Sequence, residues 1–367
     1  MKKYGFLLVL WTVLTIAAGP ALAQVLGVRV MTRVDAGGQK LVCMRLKTDA
    51  QMPQAGRFTL NADGRYGNGR WHSRATALHQ DGDEYCLYFD EFEESWFDVG
   101  WWDVSCQTRG WSFNKDAVTE TCTEVADEFI SHPMYNEDWS PTGENFDYSL
   151  YTPEGAGPFP LVLVLHGMTD WDILYTGREA TVYAEPESQK KHPCYVLVPY
   201  FDDGTTITRQ EVLERTLQKL DAMIESGEVD PERVYLSGMS MGGYHSILLM
   251  TRMSERPRFA AALLMAPWLD WTLTEEELAR AVDTPCYLLY GEQDPYIPNP
   301  GEFAERLEAL GGTCQHRVVY PWSAFEAAGA DSQHSVDLLA LSDSRYVDWL
   351  FEQRLGKKEV ELKDGSQ

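Results

Sequence analysis

Short apolar runs separated by polar segments dominate the chain after residue 146. Their length and composition are typical of buried parallel strands, and they lie at 161–165, 195–198, 234–236, 260–265, 287–290 and 317–320. Between several of them the apolar spacing is helical, as at 210–224, where Val212, Leu213 and Leu217 share one face. This alternation predicts an α/β domain over residues 144–356, with a mostly parallel sheet and helices on both faces.

The first third of the chain has a different pattern. Residues 84–90 and 99–106 are rich in strand-forming side chains, and clusters of Gly, Asn and Asp separate such segments. Residues 24–125 are therefore predicted to form a small all-β domain, a sandwich that is immunoglobulin-like in the architectural sense. Its tryptophans are expected mainly in the core, with a sugar-stacking face as the alternative; they are Trp71, Trp96, Trp101, Trp102 and Trp111.

Three further segments complete the predicted organisation. Residues 1–23 carry a basic end, an apolar core and a small-residue ending at Ala23, which indicates a signal peptide and an exported protein, extracellular or periplasmic. The apolar core is short for a membrane span. Residues 126–143 are predicted as a linker, and residues 357–367 as a disordered charged tail.

The net charge and the cysteines bear on partners and compartment. A formal net charge of −25 argues against binding to nucleic acid or to anionic membranes. Seven cysteines in an exported chain suggest disulfide bonds. Two bridges are expected among Cys43, Cys86, Cys106 and Cys122, with a third between Cys286 and Cys314 as a hypothesis. Cys194 lies in an apolar run and is expected in the core.

Residues 234–250 contain the most informative motif of the chain. An apolar strand is followed by Gly238-x-Ser240-x-Gly242 and then by an apolar helix, which is the context of a nucleophile elbow. Such a turn exposes the Ser240 hydroxyl above the sheet, and the glycines let strand and helix approach closely. The backbone N–H of Met241 would then point at the oxygen of an attacked carbonyl.

Candidate partners for Ser240 follow two later strands, at the edge of the sheet where chemistry collects in α/β folds. Asp294 lies in the loop after 287–290, and His334 lies in the loop after 317–320. The order Ser240, Asp294, His334 is that of α/β-hydrolases, with His334 as the base and Asp294 as the residue that orients it.

Other titratable residues compete for these roles. Asp270 is the second candidate for the acid, and Asp331 is too close to His334 in sequence to be preferred. His316 begins its strand and is expected at the opposite edge, whereas His245 lies on the elbow helix and is expected to pack or cap.

The strand at 161–165 is followed by His166-Gly167-Met168. This segment is expected to supply the second oxyanion donor from the N–H of Met168, with His166 in a structural role. No cluster of His, Cys, Asp or Glu in the sequence has metal-site spacing, and no phosphate or dinucleotide loop occurs, so neither metal nor cofactor is predicted.

These motifs resemble the α/β-hydrolase superfamily. The closer resemblance is to secreted "predicted peptidase" esterases, which are related to feruloyl esterases and polyhydroxybutyrate depolymerases. It rests on Leu165-His-Gly167 and on stretches at 184–199, 230–243 and 334–350. The resemblance implies Ser240, Asp294 and His334 as the catalytic triad. Two departures are Met168-Thr-Asp-Trp171 in place of a small, charged oxyanion loop, and a longer, Ala-rich approach to His334.

The sequence thus predicts a secreted serine esterase that acts on a small-molecule or polysaccharide-linked ester. The alternatives are a serine peptidase acting on short peptides, and a non-catalytic carbohydrate-binding protein on a hydrolase scaffold. Aromatic residues in the loops above the sheet are expected either to line an acyl pocket or to pack those loops; they are Trp171, Tyr200, Phe201, Tyr244, Trp268, Trp271, Tyr296 and Trp322.

Overall fold

The structure is a computed structural model that describes residues 24–35, 38–65, 69–90, 95–108, 111–168, 172–201, 207–255 and 258–362. The predicted signal peptide and Trp171 lie outside these residues. Within them, no helix is both long enough and apolar enough to cross a membrane.

The amino-terminal part forms an eight-stranded sheet with the strand order β7-β6-β3-β4-β5-β2-β1-β8. Its strands are β1 (Val25–Asp35), β2 (Gly38–Thr48), β3 (Phe58–Gly64), β4 (Arg70–Asp81), β5 (Glu84–Phe89), β6 (Val99–Cys106), β7 (Phe113–Asn114) and β8 (Val118–Thr123). The pairs are antiparallel except for β1 with β8, which is parallel.

The strand β4 belongs to both halves of this sheet. Its residues 70–74 pair with β3, and its residues 75–81 pair with β5, with a register shift between Ala75 and Ala77. Side chains from the two halves, such as Val30 and Met44 from one and Leu60 and Val104 from the other, share one buried cluster. The all-β part therefore encloses its own core, while its immunoglobulin-like topology stays a prediction.

The tryptophans of this part do not share one exposed face. Trp96, Trp102 and Trp111 are buried in its core, and Trp71 packs against that core while half-buried. Trp101 is 42% exposed. The expectation that most of these rings pack in the core therefore agrees with the structure.

The carboxy-terminal part forms a second eight-stranded sheet, in the order β16-β15-β14-β13-β11-β12-β10-β9. Its strands are β9 (Ile130–His132), β10 (Tyr148–Tyr151), β11 (Phe159–Leu165), β12 (Tyr195–Pro199), β13 (Val229–Met239), β14 (Ala261–Met265), β15 (Cys286–Gly291) and β16 (Gln315–Tyr320). The strands from β11 to β16 are parallel, and β9 and β10 are antiparallel to their neighbours.

Helices cover both faces of this second sheet. They are α1 (Ile173–Thr176), α2 (Thr181–Ala184), α3 (Pro186–Lys191), α4 (Arg209–Glu225), α5 (Met241–Met250), α6 (Glu275–Ala279), α7 (Glu302–Ala309), α8 (Trp322–Ala327), α9 (Val336–Ala340) and α10 (Ser344–Glu352). In β11, Val162 and Val164 enter one buried cluster, whereas Leu161, Leu163 and Leu165 enter the other. Both faces of the strand are thus apolar, as its unbroken apolar run predicts.

The two sheets meet at the β1–β2 pair. Val34 of β1 lies in the same buried cluster as Ile173 and Leu174 of the short helix α1. In the same region the Tyr175 hydroxyl donates a hydrogen bond to Asp127 at 3.4 Å. The amino-terminal part thus packs against the segment that follows His166-Gly167.

Three details differ from the sequence-based expectations. The predicted linker contains β9, because residues 130–132 pair with β10 and extend the second sheet. The first residues of the predicted tail are held against the body, since Val360 hydrogen-bonds Gln353 through both its N–H and its carbonyl, and Glu359 contacts His316 at 2.6 Å.

The third detail concerns the cysteines, which the structure records as seven free thiols. The predicted bridge between Cys286 and Cys314 is not formed, because Cys286 is in register with Gln315 and the Cys314 thiol faces the carbonyl of Val282 at 3.7 Å. Neither of the two bridges expected in the first third is formed. Cys194 is fully buried, and its burial raises the pKa of the thiol to about 12.

Candidate active site

The turn between β13 and α5 has the backbone conformation of a nucleophile elbow. Ser240 has φ of 55° and ψ of −114°, a region that residues with a side chain rarely adopt. Its N–H donates to the carbonyl of Met265 at 2.8 Å, which ties the turn to the neighbouring strand β14. The strain at Ser240 is thus stabilised by the surrounding sheet, and α5 begins at the next residue.

Glycine is required around this turn because other backbone segments occupy the space of a side chain. A Cβ at Gly242 would overlap the carbonyl of Leu165 at the end of β11, and a Cβ at Gly243 would lie 2.8 Å from Pro267 Cα. In both cases the approach is too close for atoms that are not bonded to each other. These glycines let α5 sit directly against the ends of β11 and β14.

Ser240, His334 and Asp294 form one chain of hydrogen bonds. The Ser240 Oγ lies 2.9 Å from Nε2 of His334, and Nδ1 of His334 lies 2.7 Å from Oδ2 of Asp294. The Asp294 side chain is fully buried, whereas the His334 side chain is 19% exposed. The structure therefore brings together the three residues that the sequence selects, at the carboxyl ends of β13, β15 and β16.

Backbone hydrogen bonds fix the two loops that carry Asp294 and His334. The second carboxylate oxygen of Asp294 accepts from the N–H of Tyr296 at 2.8 Å and from the N–H of Ile297 at 3.0 Å. Gln333, which the sequence does not single out, accepts a bond from the Gln293 N–H at 2.8 Å. Gln333 thus joins the two loops next to His334.

The competing residues have other partners. Asp270 forms an ion pair with Arg252 at 2.9 Å. His316 lies near the amino-terminal end of β16 and pairs with Glu359. His245 is 2% exposed, and its ring centroid lies 4.3 Å from that of Phe201. Burial, followed by the charges of Arg209 and His166, lowers the pKa of His245 to about 3, so this imidazole stays neutral.

His166 has a structural role on the other side of the elbow. Its Nε2 accepts from the N–H of Phe201 at 3.0 Å, so Nδ1 carries the proton and donates to the Gly167 carbonyl at 2.6 Å. These bonds hold the segment after β11 beside the turn. Met168, the proposed second oxyanion donor, lines the same cavity as Ser240 and Met241.

Ser240 opens into a cavity of about 790 Å³, here called the Ser240 cavity. Its walls combine apolar, hydroxyl and acidic side chains, including Thr176, Glu179, Ile297, Asp337 and Leu338, and no lysine or arginine is among its described lining residues. The Tyr296 ring meets His334 edge-on, at 5.1 Å between centroids. The sequence did not single out Thr176, Glu179, Ile297, Asp337 or Leu338, because it does not indicate that these positions face Ser240.

A second cavity, of about 760 Å³, lies between α4 and α5. It shares Met241 and Trp268 with the Ser240 cavity, and we call it the α4–α5 groove. Leu213 and Leu217 of α4 face Leu248 of α5 across it. The sequence predicts α4 as an amphipathic helix but gives no sign that it borders the site.

The aromatic residues expected near the site have different surroundings. Trp268 lines both cavities, Tyr244 lines the groove and Tyr296 lines the Ser240 cavity. Phe201 is buried against the two histidines His166 and His245. The Tyr200 hydroxyl bonds to Ser149, and the other two described rings are exposed at the surface, Trp271 by 58% and Trp322 by 43%.

Among the described residues, no group of three or more His, Cys, Asp or Glu side chains is arranged to hold a metal ion. The polar groups beside Ser240 instead form the hydrogen-bond chain described above. The arrangement can therefore transfer a proton from a serine hydroxyl to an imidazole that a carboxylate orients.

Comparison with known proteins agrees with this architecture. The structure superposes on a solved thermostable esterase with a TM-score of 0.70 at 19% identity, covering 89% of this chain and 99% of the other. The fold is that of an α/β-hydrolase. Because residues 130–362 make up less than two thirds of the chain, the superposition also includes strands of the amino-terminal sheet of this α/β-hydrolase.

Other comparisons cover less of the chain. A family model described as the prolyl oligopeptidase family matches residues 199–304 of this α/β-hydrolase, a segment that holds Ser240 and Asp294. 2,6-dihydroxy-pseudo-oxynicotine hydrolase superposes with a TM-score of 0.45 at 16% identity, over 64% of this chain and 70% of its own. Butyrate-bound esterase 2 from Thermogutta terrifontis gives 0.39 at 14%, over 53% and 84%. No curated protein sequence matches the chain.

Proposed function

We propose that this α/β-hydrolase is a serine esterase that cleaves carboxylic esters through an acyl-enzyme on Ser240. The observation that carries the proposal is the unbroken hydrogen-bond chain from Ser240 through His334 to Asp294. A serine hydroxyl is a weak nucleophile at neutral pH, so it needs a base in contact with it. His334 Nε2 is that base.

The proposed reaction has two halves. Nε2 of His334 takes the Ser240 proton while Oγ attacks the ester carbonyl carbon, and then gives that proton to the alcohol oxygen as the ester C–O bond breaks. Water repeats the sequence on the acyl-enzyme and releases the acid. Asp294 accepts the hydrogen bond from Nδ1–H, which keeps Nε2 free to act as a base and stabilises the imidazolium that forms.

The negative oxygen of the tetrahedral intermediate needs donors that are already in place. We assign this role to the N–H of Met241, the first residue of α5, and to the N–H of Met168. Support comes from the close contact of the elbow with the end of β11 and from the presence of both residues at the Ser240 cavity.

The proposed substrates are small-molecule or polysaccharide-linked esters. The proposed location of the protein is the extracellular space or the periplasm. The signal-peptide pattern of residues 1–23 supports export. A protein recovered from the medium or periplasm with Gln24 as its first residue would agree, and a cytoplasmic protein retaining Met1 would not.

Carbohydrate contact through the amino-terminal part is a further proposal, and Trp101 is the exposed ring that supports it. Retention of the full chain on insoluble polysaccharide should then weaken in Trp101→Ala. Equal retention of the wild type and of Trp101→Ala would overturn the proposed carbohydrate contact.

A serine peptidase acting on short peptides is the second candidate. The prolyl oligopeptidase family match over residues 199–304 favours it. The same three residues would act as the catalytic triad. Because an amide has a poorer leaving group than an ester, the rate would depend more strongly on protonation of that group by His334.

Hydrolysis of p-nitrophenyl acetate and butyrate, with a chromogenic peptide in parallel, tests the proposal. Ser240→Ala should lower ester kcat by about 10⁴-fold or more, because the nucleophile is removed. With the wild type, an initial burst of p-nitrophenol stoichiometric with enzyme is expected where deacylation is the slower step.

Ser342→Ala is the matched control, since Ser342 is exposed and its hydroxyl donates a hydrogen bond to the Leu338 carbonyl. It should retain wild-type rates. Turnover of the peptide but of neither ester would replace the esterase by the second candidate. Ester turnover that persists in Ser240→Ala would overturn the serine mechanism.

A further inference from the structure

The α4–α5 groove runs along two neighbouring helices and begins beside the nucleophile. On α5 its lining follows one stripe, from Met241 through Tyr244 to Leu248, and the matching stripe on α4 contains Leu213 and Leu217. Stripes at this spacing are single faces of helices. Met241, which directly follows Ser240, and Trp268 line both cavities, so one end of the groove adjoins the Ser240 cavity.

The groove has an apolar floor that suits an acyl chain, and its other lining includes polar and charged side chains, namely Arg209, Gln210, Glu214, Gln218 and Arg252. Its floor is made by the leucine side chains named above together with Met253, and Trp268 packs edge-on against Tyr244 at its entrance, with centroids 4.9 Å apart. Arg252 stands at the rim, where Asp270 and Glu277 hold it by ion pairs of 2.9 and 2.7 Å. The positive charge of Arg252 is therefore balanced by these two carboxylates of the protein.

The proton transfers of the proposed reaction decide which part of an ester lies on which side. His334 must reach the alcohol oxygen to protonate it as it leaves. His334 lines the Ser240 cavity and does not line the groove. The alcohol part therefore belongs in the Ser240 cavity, beside Tyr296, and the acyl part extends from the carbonyl carbon towards Met241 and Trp268.

We infer that the α4–α5 groove is the acyl-chain site, and that the enzyme prefers esters of unbranched acids of about eight carbons over acetate. The inference rests on the proposed esterase function. The groove follows α4 from Arg209 to Gln218, which spans roughly 13 Å at the helical rise, so a chain of this class can lie along it.

The test measures kcat/KM for p-nitrophenyl acetate, butyrate and octanoate, all below their aggregation limits, so that the leaving group is constant. Full burial of one methylene corresponds to about a fourfold gain, so partial burial of four predicts a rise on the order of tenfold from butyrate to octanoate. Constant or falling values from butyrate to octanoate in the wild type would overturn the inference while leaving the esterase proposal intact.

Leu248→Trp places a bulky ring in the groove and should lower the octanoate-to-acetate ratio of kcat/KM by about tenfold. This ratio does not depend on the fraction of enzyme that is folded, so a destabilised variant remains informative. Leu310→Trp is the matched control, because Leu310 is a half-buried leucine of the same core cluster outside both cavities. Its ratio should equal that of the wild type.

Leu338→Trp fills the Ser240 cavity instead and separates the two possible chain positions. If the acyl chain follows the groove, the octanoate-to-acetate ratio stays within about twofold in Leu338→Trp and collapses in Leu248→Trp. The reverse pattern would place the chain in the Ser240 cavity and overturn the inference. Absence of acetate hydrolysis by the wild type would instead be a failure of the esterase proposal itself.

Discussion

The two eight-stranded sheets differ in strand direction, and this difference decides where reactive groups can collect. In the second sheet the parallel strands end at one edge, and the loops after β13, β15 and β16 meet there with Ser240, Asp294 and His334. In the first sheet most neighbouring strands are antiparallel, so successive strand ends alternate between two edges. The first sheet encloses a core, and its strands β1 and β2 contact α1, whose last residue Thr176 lines the Ser240 cavity.

The largest expected effect tests the chemical side of this comparison. Asp294→Asn should lower ester kcat by about 10⁴-fold, because an amide favours the wrong tautomer of His334 and cannot stabilise its cation. The melting temperature should change far less than the rate. Stopped-assay kinetics with p-nitrophenyl butyrate and thermal unfolding of the same samples provide the two measurements.

Asp270→Asn is the control for Asp294→Asn, since Asp270 follows the adjacent strand β14 and bonds Arg252 and the Thr272 N–H. It should retain kcat within about threefold, because exposed ion pairs contribute little. Equal losses in the two variants would mean that the hydrogen bond between Asp294 and His334 is not what orients the imidazole.

The next effect concerns close packing at the carboxyl edge. Gly242→Ala should destabilise the protein by roughly 3 kcal/mol or more, because the new methyl group would overlap the Leu165 carbonyl and push α5 away from β11. Urea unfolding gives the stability. Activity should fall as well, since Met241 would move with the helix.

Gly56→Ala is the matched change in the amino-terminal part, in the turn just before β3. Gly56 has no atom within 4 Å of the space its Cβ would occupy, and its φ is not positive. The expected change in unfolding free energy is within about 0.5 kcal/mol. A similar cost at both glycines would show that the Gly242 effect does not come from contact with the Leu165 carbonyl, since nothing lies within 4 Å of a Cβ at Gly56.

The same contrast explains what the sequence could predict. Ser240, Asp294 and His334 were selectable because each follows an apolar strand, and strand order in a parallel sheet converts position along the chain into position at one edge. The mostly parallel sheet and its flanking helices followed from the same runs. The comparison structure and the strand pairing agree with that part of the prediction.

Features that depend on which distant segments pack together were not predictable in this way. The stripe of leucines on α4 looks like any core-facing stripe, and only its position beside α5 makes it a groove wall. β9 is three residues long and forms by pairing with β10. The local sequence pattern therefore predicts a linker at this position. The positions of Cys286 and Cys314 in the sequence predict that they begin neighbouring strands. They do not predict whether the register of those strands brings the two thiols together.

The smallest expected effect tests the contact between the first sheet and α1. Val34 lies 9% exposed in the cluster with Ile173 and Leu174, and Thr176 at the end of α1 lines the Ser240 cavity. Val34→Ala should lower the unfolding free energy by about 1 to 2 kcal/mol. It should also raise KM for p-nitrophenyl butyrate by roughly two- to fivefold with little change in kcat, since α1 would shift while the Ser240 hydrogen-bond chain stays in place.

Val30→Ala separates the two roles that the first sheet could have. Val30 is 1% exposed in the core of the first sheet, and its truncation leaves a cavity of the same size without touching α1. It should cost a similar free energy of unfolding, measured in urea, and leave KM unchanged. A KM that rises equally in both variants would mean that general loosening of the first sheet reaches the site. If KM changes in neither variant, the first sheet contacts α1 without influencing substrate binding at the Ser240 cavity.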